Sequence, residues 1–75
     1  VAPPQKRSVT IRGHRTSFSL EDAFYRELER LARKRDLSLA ALIVKIDAAR
    51  TGDTNLSSAL RLYVLVEVKR EADRM

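Results

Sequence analysis

The sequence has no cysteine and a single histidine, His14. The first absence removes thiol redox chemistry, disulfide staples and thiolate–metal sites. The second leaves a histidine-based metal centre or catalytic dyad without partners. No apolar run approaches the ~18–20 residues of a membrane span. No Gly-rich phosphate loop or nucleophile motif occurs, and the opening Val1-Ala2-Pro3-Pro4-Gln5-Lys6-Arg7 has no apolar stretch of the kind a secretory leader carries. Size is also lacking. With 75 residues, too few remain to build both a core and an enclosed substrate pocket, and a chain this short buries only about 60–65% of the surface its unfolded form exposes. The expectation is therefore a cytoplasmic, non-enzymatic protein with no cofactor and no metal. Either the fold is a compact helical unit or it is completed by a partner chain.

What is present is positive charge, unevenly spread. The net charge is +5, and the first 20 residues hold Lys6, Arg7, Arg12 and Arg15 with no acid. The remaining residues are nearly balanced, with 11 basic and 10 acidic side chains. A local basic segment on a near-neutral body points to a polyanion, and nucleic acid is favoured over anionic lipid. Membrane binding calls for an amphipathic basic helix, which this segment does not resemble.

The hydrophobic pattern changes period along the chain. Ser8-Val9-Thr10-Ile11-Arg12 and Arg15-Thr16-Ser17-Phe18-Ser19-Leu20 alternate polar and apolar residues, the signature of half-buried strands. From Glu21 the period becomes helical, with Phe24, Leu28, Leu31 and Ala32 on one face, acids at the start and Arg33-Lys34-Arg35 at the end, the order the helix dipole favours. Asp36-Leu37-Ser38 reads as a tight connection with Ser38 as N-cap, and Leu39, Leu42, Ile43 and Ile46 line the next helix. After a break at Thr51-Gly52-Asp53-Thr54, Asn55 or Ser57 caps a third helix with Leu56, Ala59, Leu60, Tyr63 and Val64 as its stripe. Leu62-Tyr63-Val64-Leu65-Val66 is apolar on nearly all faces and rich in β-formers, so a strand is the alternative there. Helix is favoured by the cap and by the length of the run.

The stretch Arg15-Thr16-Ser17-Phe18-Ser19-Leu20-Glu21-Asp22, a helix of about four turns, and Asp36-Leu37-Ser38-Leu39-Ala40-Ala41-Leu42 together resemble the ribbon-helix-helix repressors of the Arc/MetJ type. The resemblance implies a mostly α fold in an intertwined homodimer, whose N-terminal strands pair antiparallel into a two-stranded ribbon that enters the DNA major groove. It implies base contacts from the outward strand residues Arg15, Ser17 and Ser19. Phe18 would lie on the core side, and a phosphate would be held by the backbone N–H groups near Ser38 and Leu39. Physical chemistry agrees. A two-stranded ribbon fits a groove roughly 12 Å wide, arginine pairs with guanine O6 and N7, and hydroxyls donate or accept. The bland alternatives are a solvated strand face for these residues and, for Ser19, a helix cap with Asp22 completing a capping box. His14 reads as a turn residue.

Three features depart from the minimal pattern. Asp36 stands where the inter-helix turn commonly carries glycine, and tolerates the left-handed conformation better than most residues. The run from Ser8 to Arg12, joined through Gly13-His14, allows a type II′ hairpin that would give a four-stranded ribbon or block it from the groove. The favoured reading instead makes residues 1–7 a flexible basic arm, with Lys6, Arg7 and Arg12 following the phosphate backbone. Residues 8–75 then form one domain, with a strand at about 15–20 and helices at about 21–35, 38–50 and 55–72. The third helix is extra and is assigned to dimer stability. The shared core is expected to comprise Phe18, Leu20, Phe24, Leu28, Leu31, Leu37, Leu42, Ile43 and Ile46.

The function expected from these features is sequence-specific DNA binding by a transcriptional regulator. The partners would be double-stranded DNA and a second copy of the chain, with higher oligomers on DNA, and no membrane. The alternative is a protein-interaction or antitoxin-type dimerisation module whose third helix docks a partner. Against it, a toxin-binding tail would normally be a longer, disordered extension, and the sequence stops a few residues after Val68.

Overall fold

Alternation at the N-terminus finds its partner within the same chain. In the computed structural model, which describes residues 2–74, strand β1 (Gln5–Ile11) pairs antiparallel with β2 (His14–Leu20). Three helices follow: α1 (Asp22–Lys34), α2 (Leu39–Ala48) and α3 (Leu56–Asp73). The loop of the hairpin is the residue pair Arg12-Gly13, with φ of 52° and 81°. Two successive positive φ values make a type I′ turn, whose twist matches that of the strands it joins. The turn is therefore centred one residue earlier than the Gly13-His14 pair expected from the sequence. Gly13 supplies the second left-handed position at no steric cost, and Arg12 bears the strain of the first.

One expectation is corrected by this hairpin. Gln5, Lys6 and Arg7 belong to a strand rather than a flexible arm, because their backbone groups complete a ladder with Phe18, Ser19 and Leu20. Pro3 and Pro4 lie just before the strand, where a residue without an N–H cannot extend it. Within the chain the ribbon is formed by its own two strands, β1 and β2, which a two-residue loop brings together at minimal closure entropy.

Each helix ends with a local device that its residues prescribe. Ser38 Oγ accepts from the Ala41 N–H at 3.1 Å, and Asn55 Oδ1 accepts from the Ser58 N–H at 2.8 Å, so α2 and α3 are capped by side chains. The N-cap of α1 is Glu21, without a side-chain cap bond, and Ser19 is part of β2 instead of capping that helix. At the far end of α1 the Leu37 N–H reaches the Ala32 carbonyl at 2.8 Å and the Asp36 N–H reaches the Arg33 carbonyl at 3.0 Å. This is a Schellman closure, and it needs the left-handed residue that Asp36 provides at φ 62°. Leu62-Tyr63-Val64-Leu65-Val66 is helical throughout.

One chain builds its own core. Phe18, Leu20, Leu28, Leu31, Leu42, Ile43 and Ile46 are buried as expected, while Phe24 and Leu37 are half-buried against them. Ile11, Ala32, Leu56, Leu60 and Val64 are buried too. The inward side chains of the hairpin and the third helix thus join this core. Ion pairs fasten α3 across α1: the Glu71 carboxylate takes both arms of Arg30, at 2.8 and 2.9 Å, and Lys34 Nζ at 2.7 Å. Arg61 donates to Glu21 at 2.9 Å at the opposite end of α1. These contacts hold the Glu71 carboxyl at about 2 and the Glu21 carboxyl below the ordinary carboxylate value, the arginine hydrogen bond being the main cause in each case.

Candidate nucleic-acid interface

The register decides which side chains share a face. Directly opposed residues of an antiparallel pair point the same way, so the hairpin has an inner row and an outer row. The outer row pairs Lys6 with Ser19, Ser8 with Ser17, and Thr10 with Arg15, and all six are exposed. The inner row includes Val9, Ile11, Phe18 and Leu20, which face the helices. With a two-residue loop, Ile11 and His14 form the closing hydrogen-bonded pair, so the outer-row pairs fall at the non-hydrogen-bonded positions. There the opposed Cα atoms approach to about 4.5 Å, which packs the six side chains into one dense strip.

That strip is polar and cationic. Between Gln5 and Leu20 there is no acidic residue. Lys6 stands at one end, Arg15 at the other, and Arg12 at the tip of the turn, all exposed and without ion-pair partners among the described residues. Hydroxyls of Ser8, Thr10, Ser17 and Ser19 lie between them. A strand of seven residues spans about 24 Å, enough to cross several base pairs in a groove.

Arg15, Ser17 and Ser19, expected from β2, are brought together on this row. Lys6 joins them and Arg12 sits beside them. Arg7 does not. It pairs with Phe18 on the inner row, its guanidinium lies 3.6 Å over the Tyr25 ring, and its Nη2 is 3.4 Å from Asp22 Oδ1. Its Nε is buried without a hydrogen-bond partner among the described residues. The period-two alternation that exposes Lys6 turns the next residue inward, so Arg7 clamps the hairpin to α1 rather than reaching a phosphate.

Ser38 and Leu39 are not on the row. They open α2, where Ser38 is exposed and Leu39 half-buried, and the Ser38 hydroxyl already accepts the Ala41 N–H of the first turn. His14 follows the turn and is exposed.

Sequence reasoning misses Ser8 and Thr10. The signal is the alternation of Ser8 to Ile11: with the turn centred on Arg12-Gly13, it places both residues opposite Ser17 and Arg15. It also misses Ser57, whose Oγ accepts the Ser19 N–H at 3.0 Å while Arg61 reaches the Ser19 carbonyl at 3.5 Å. Both bonds use the backbone of Ser19, so its own hydroxyl stays on the outer row. No local pattern announces a contact spanning 38 residues.

The family model for the ribbon-helix-helix domain matches residues 4–68, which take in both strands, α1, α2 and most of α3. The chain belongs to the ribbon-helix-helix family. Comparison with curated proteins and with solved structures finds no match. Ribbon-helix-helix domains bind DNA, typically dimerise, and act as transcription regulators or antitoxin-type proteins rather than enzymes. This member has its N-terminal antiparallel ribbon followed by three helices, the last of them additional. No helix among its described residues is long and apolar enough to cross a membrane.

Proposed function

We propose that this ribbon-helix-helix chain is a sequence-specific, cytoplasmic DNA-binding regulator of transcription, acting as a homodimer, that lays its hairpin in the major groove. The observation that carries the reading is the outer row: six exposed residues, two of them cationic and four hydroxyl-bearing, on a two-stranded ribbon with no acid. A row of this composition has the donors and acceptors that base edges demand, on an element of the width the groove admits. Arg15 pairs with guanine O6 and N7. Ser17 and Ser19, with Ser8 and Thr10 opposite, read neighbouring edges through their hydroxyls. Lys6 and Arg12 contact phosphates at the two ends of the ribbon, and the N–H groups at Ser38 and Leu39 hold a further phosphate.

Selection from random duplexes at low and near-physiological salt tests the reading, and a short enriched motif is expected. On that motif Arg15→Ala should cost about 1–3 kcal/mol at one base position, whereas Lys6→Ala and Arg12→Ala should weaken all sequences alike and flatten the salt slope by about one unit each. Equal weakening of selected and random DNA by Arg15→Ala removes the base-reading role.

A further inference from the structure

Ser19 differs from its neighbours on the outer row in what its backbone does. Opposite Lys6 it occupies a non-hydrogen-bonded position of the ladder, so its N–H and carbonyl point away from β1, toward the far edge of β2. Edge groups of this kind ordinarily go to water. The outward groups of Arg15 and Ser17, the other outer-row residues of the strand, have no partner among the described residues. At Ser19 both groups are occupied from α3: Ser57 Oγ accepts the N–H at 3.0 Å, and Arg61 Nη2 donates to the carbonyl at 3.5 Å.

Both partners are themselves held in place. Ser57 lies in the first turn of α3 between the buried Leu56 and Leu60, and Asn55 caps that turn through the Ser58 N–H at 2.8 Å. Arg61 stands one turn further along. Its Nε donates to Glu21 Oε1 at 2.9 Å, which leaves a second arm of the rigid, planar guanidinium for the Ser19 carbonyl. A peptide unit is planar, so fixing the Ser19 N–H sets the plane before its Cα, and fixing the carbonyl sets the plane after it. Phe18 and Leu20 are buried on either side. The Ser19 side chain has one direction left, outward onto the row.

We propose that Ser57 and Arg61 are positioning residues for base reading: from α3, without touching DNA themselves, they hold both peptide planes of Ser19 and so fix where its hydroxyl meets the groove. The inference rests on the function proposed above. A hydroxyl discriminates between base edges when its position is set before contact, because a hydrogen bond weakens steeply with misalignment. A residue whose backbone must be ordered on binding costs about a tenfold loss of affinity. The helix additional to the minimal family unit thereby gains a part in DNA specificity through its first two turns. Its reach is local. Arg15 stands at the turn end of the row with its outward groups unbraced, so its base contact should not depend on α3.

Amide hydrogen exchange of the full chain, without DNA, tests the brace. The Ser19 amide should exchange about tenfold or more slowly than that of Ser17. Ser57→Ala should bring it to the Ser17 rate, Ser57→Thr, which keeps the hydroxyl, should restore the protection, and Ser58→Ala should change nothing. A wild-type Ser19 amide as labile as that of Ser17 overturns the brace. Binding to single-base variants of the selected motif tests the readout. Ser57→Ala should relax discrimination by about three- to tenfold at the base pair that Ser19→Ala relaxes, and leave the base pair that Arg15→Ala relaxes as selective as in wild type. Arg61→Lys keeps a cation for Glu21 but loses the fork, and should act at the same base pair as Ser57→Ala. Uniform weakening at every position, which is what a merely destabilised fold would give, or no change at all overturns the positioning role. If no motif is selected while the Ser19 amide responds as expected, the DNA-reading function fails and the positioning role with it, and the brace stands as part of the fold.

Discussion

Replacing Arg7 with alanine separates what a cationic residue does inside the fold from what it does to DNA. Its guanidinium sits 3.6 Å over the Tyr25 ring and 3.4 Å from Asp22, with the Arg7 side chain 23% exposed. A cation over an aromatic face contributes about 0.5–1 kcal/mol when exposed and about 2 when desolvated. The half-enclosed position places Arg7 between those limits. The ion pair adds little, since Asp22 is 41% exposed and also binds Arg26 at 2.8 Å, so a few tenths of a kcal/mol is its scale. Loss of the packed stem adds to this. The expected cost of Arg7→Ala is about 1–2 kcal/mol, which lowers Tm by roughly 5–15 °C for a domain of this size. Lys6→Ala, one residue away on the opposite face, should leave Tm within about 1 °C, as exposed substitutions usually do. Urea and thermal unfolding measure the stability, and a salt titration of DNA binding measures the other role. Arg7→Ala should leave the salt slope intact under conditions where the protein stays folded. Full stability together with a slope flattened by about one unit would refute the clamp and return Arg7 to the phosphate backbone.

Two further predictions follow from the turn and from the ion pairs. Gly13 has φ +81°, and a Cβ added there would meet nothing within 4 Å, so the cost of Gly13→Ala should be limited to backbone strain, about 1–2 kcal/mol by urea unfolding; an unchanged midpoint would refute the type I′ turn. The Glu71 carboxyl is held at about 2 against an ordinary 4.5 by Arg30 and then Lys34. Its stabilisation is complete above about 4.5 and is lost as pH falls toward 2, because the unfolded chain takes up the proton first. Glu71→Gln should therefore lose a measurable part of the Tm decline across that acid window, and an unaltered Tm profile would show that the Arg30–Glu71–Lys34 cluster contributes nothing to folding.

Much of the candidate site is legible in the sequence because it rests on short-range pattern. Alternation over Arg15 to Leu20 sets Arg15, Ser17 and Ser19 on one side of a strand whatever that strand pairs with. The errors share a different cause. Charge counts carry no direction, so they make Arg7 a free cation, whereas the inward turn of its side chain depends on where the ladder begins. Ser8 and Thr10 escape notice because their place on the reading face depends on the register of the hairpin, which a one-residue change in the turn would reverse.

By itself the sequence determined the first two helices and several of their features: Ser38 as the cap of α2, Asp36 as the left-handed residue closing α1, and the stripes of Leu28, Leu31, Leu42 and Ile46. These are settled by interactions within a turn or two of chain, so local composition suffices. Only the tertiary structure decided that β1 completes the ribbon, that Ser57 and Arg61 close its edge, and that α3 buries Leu60 and Val64 while leaving Leu62, Leu65 and Val66 outside. Those outcomes depend on contacts between residues far apart in the chain, where loop closure and burial compete and periodicity is the same for every solution.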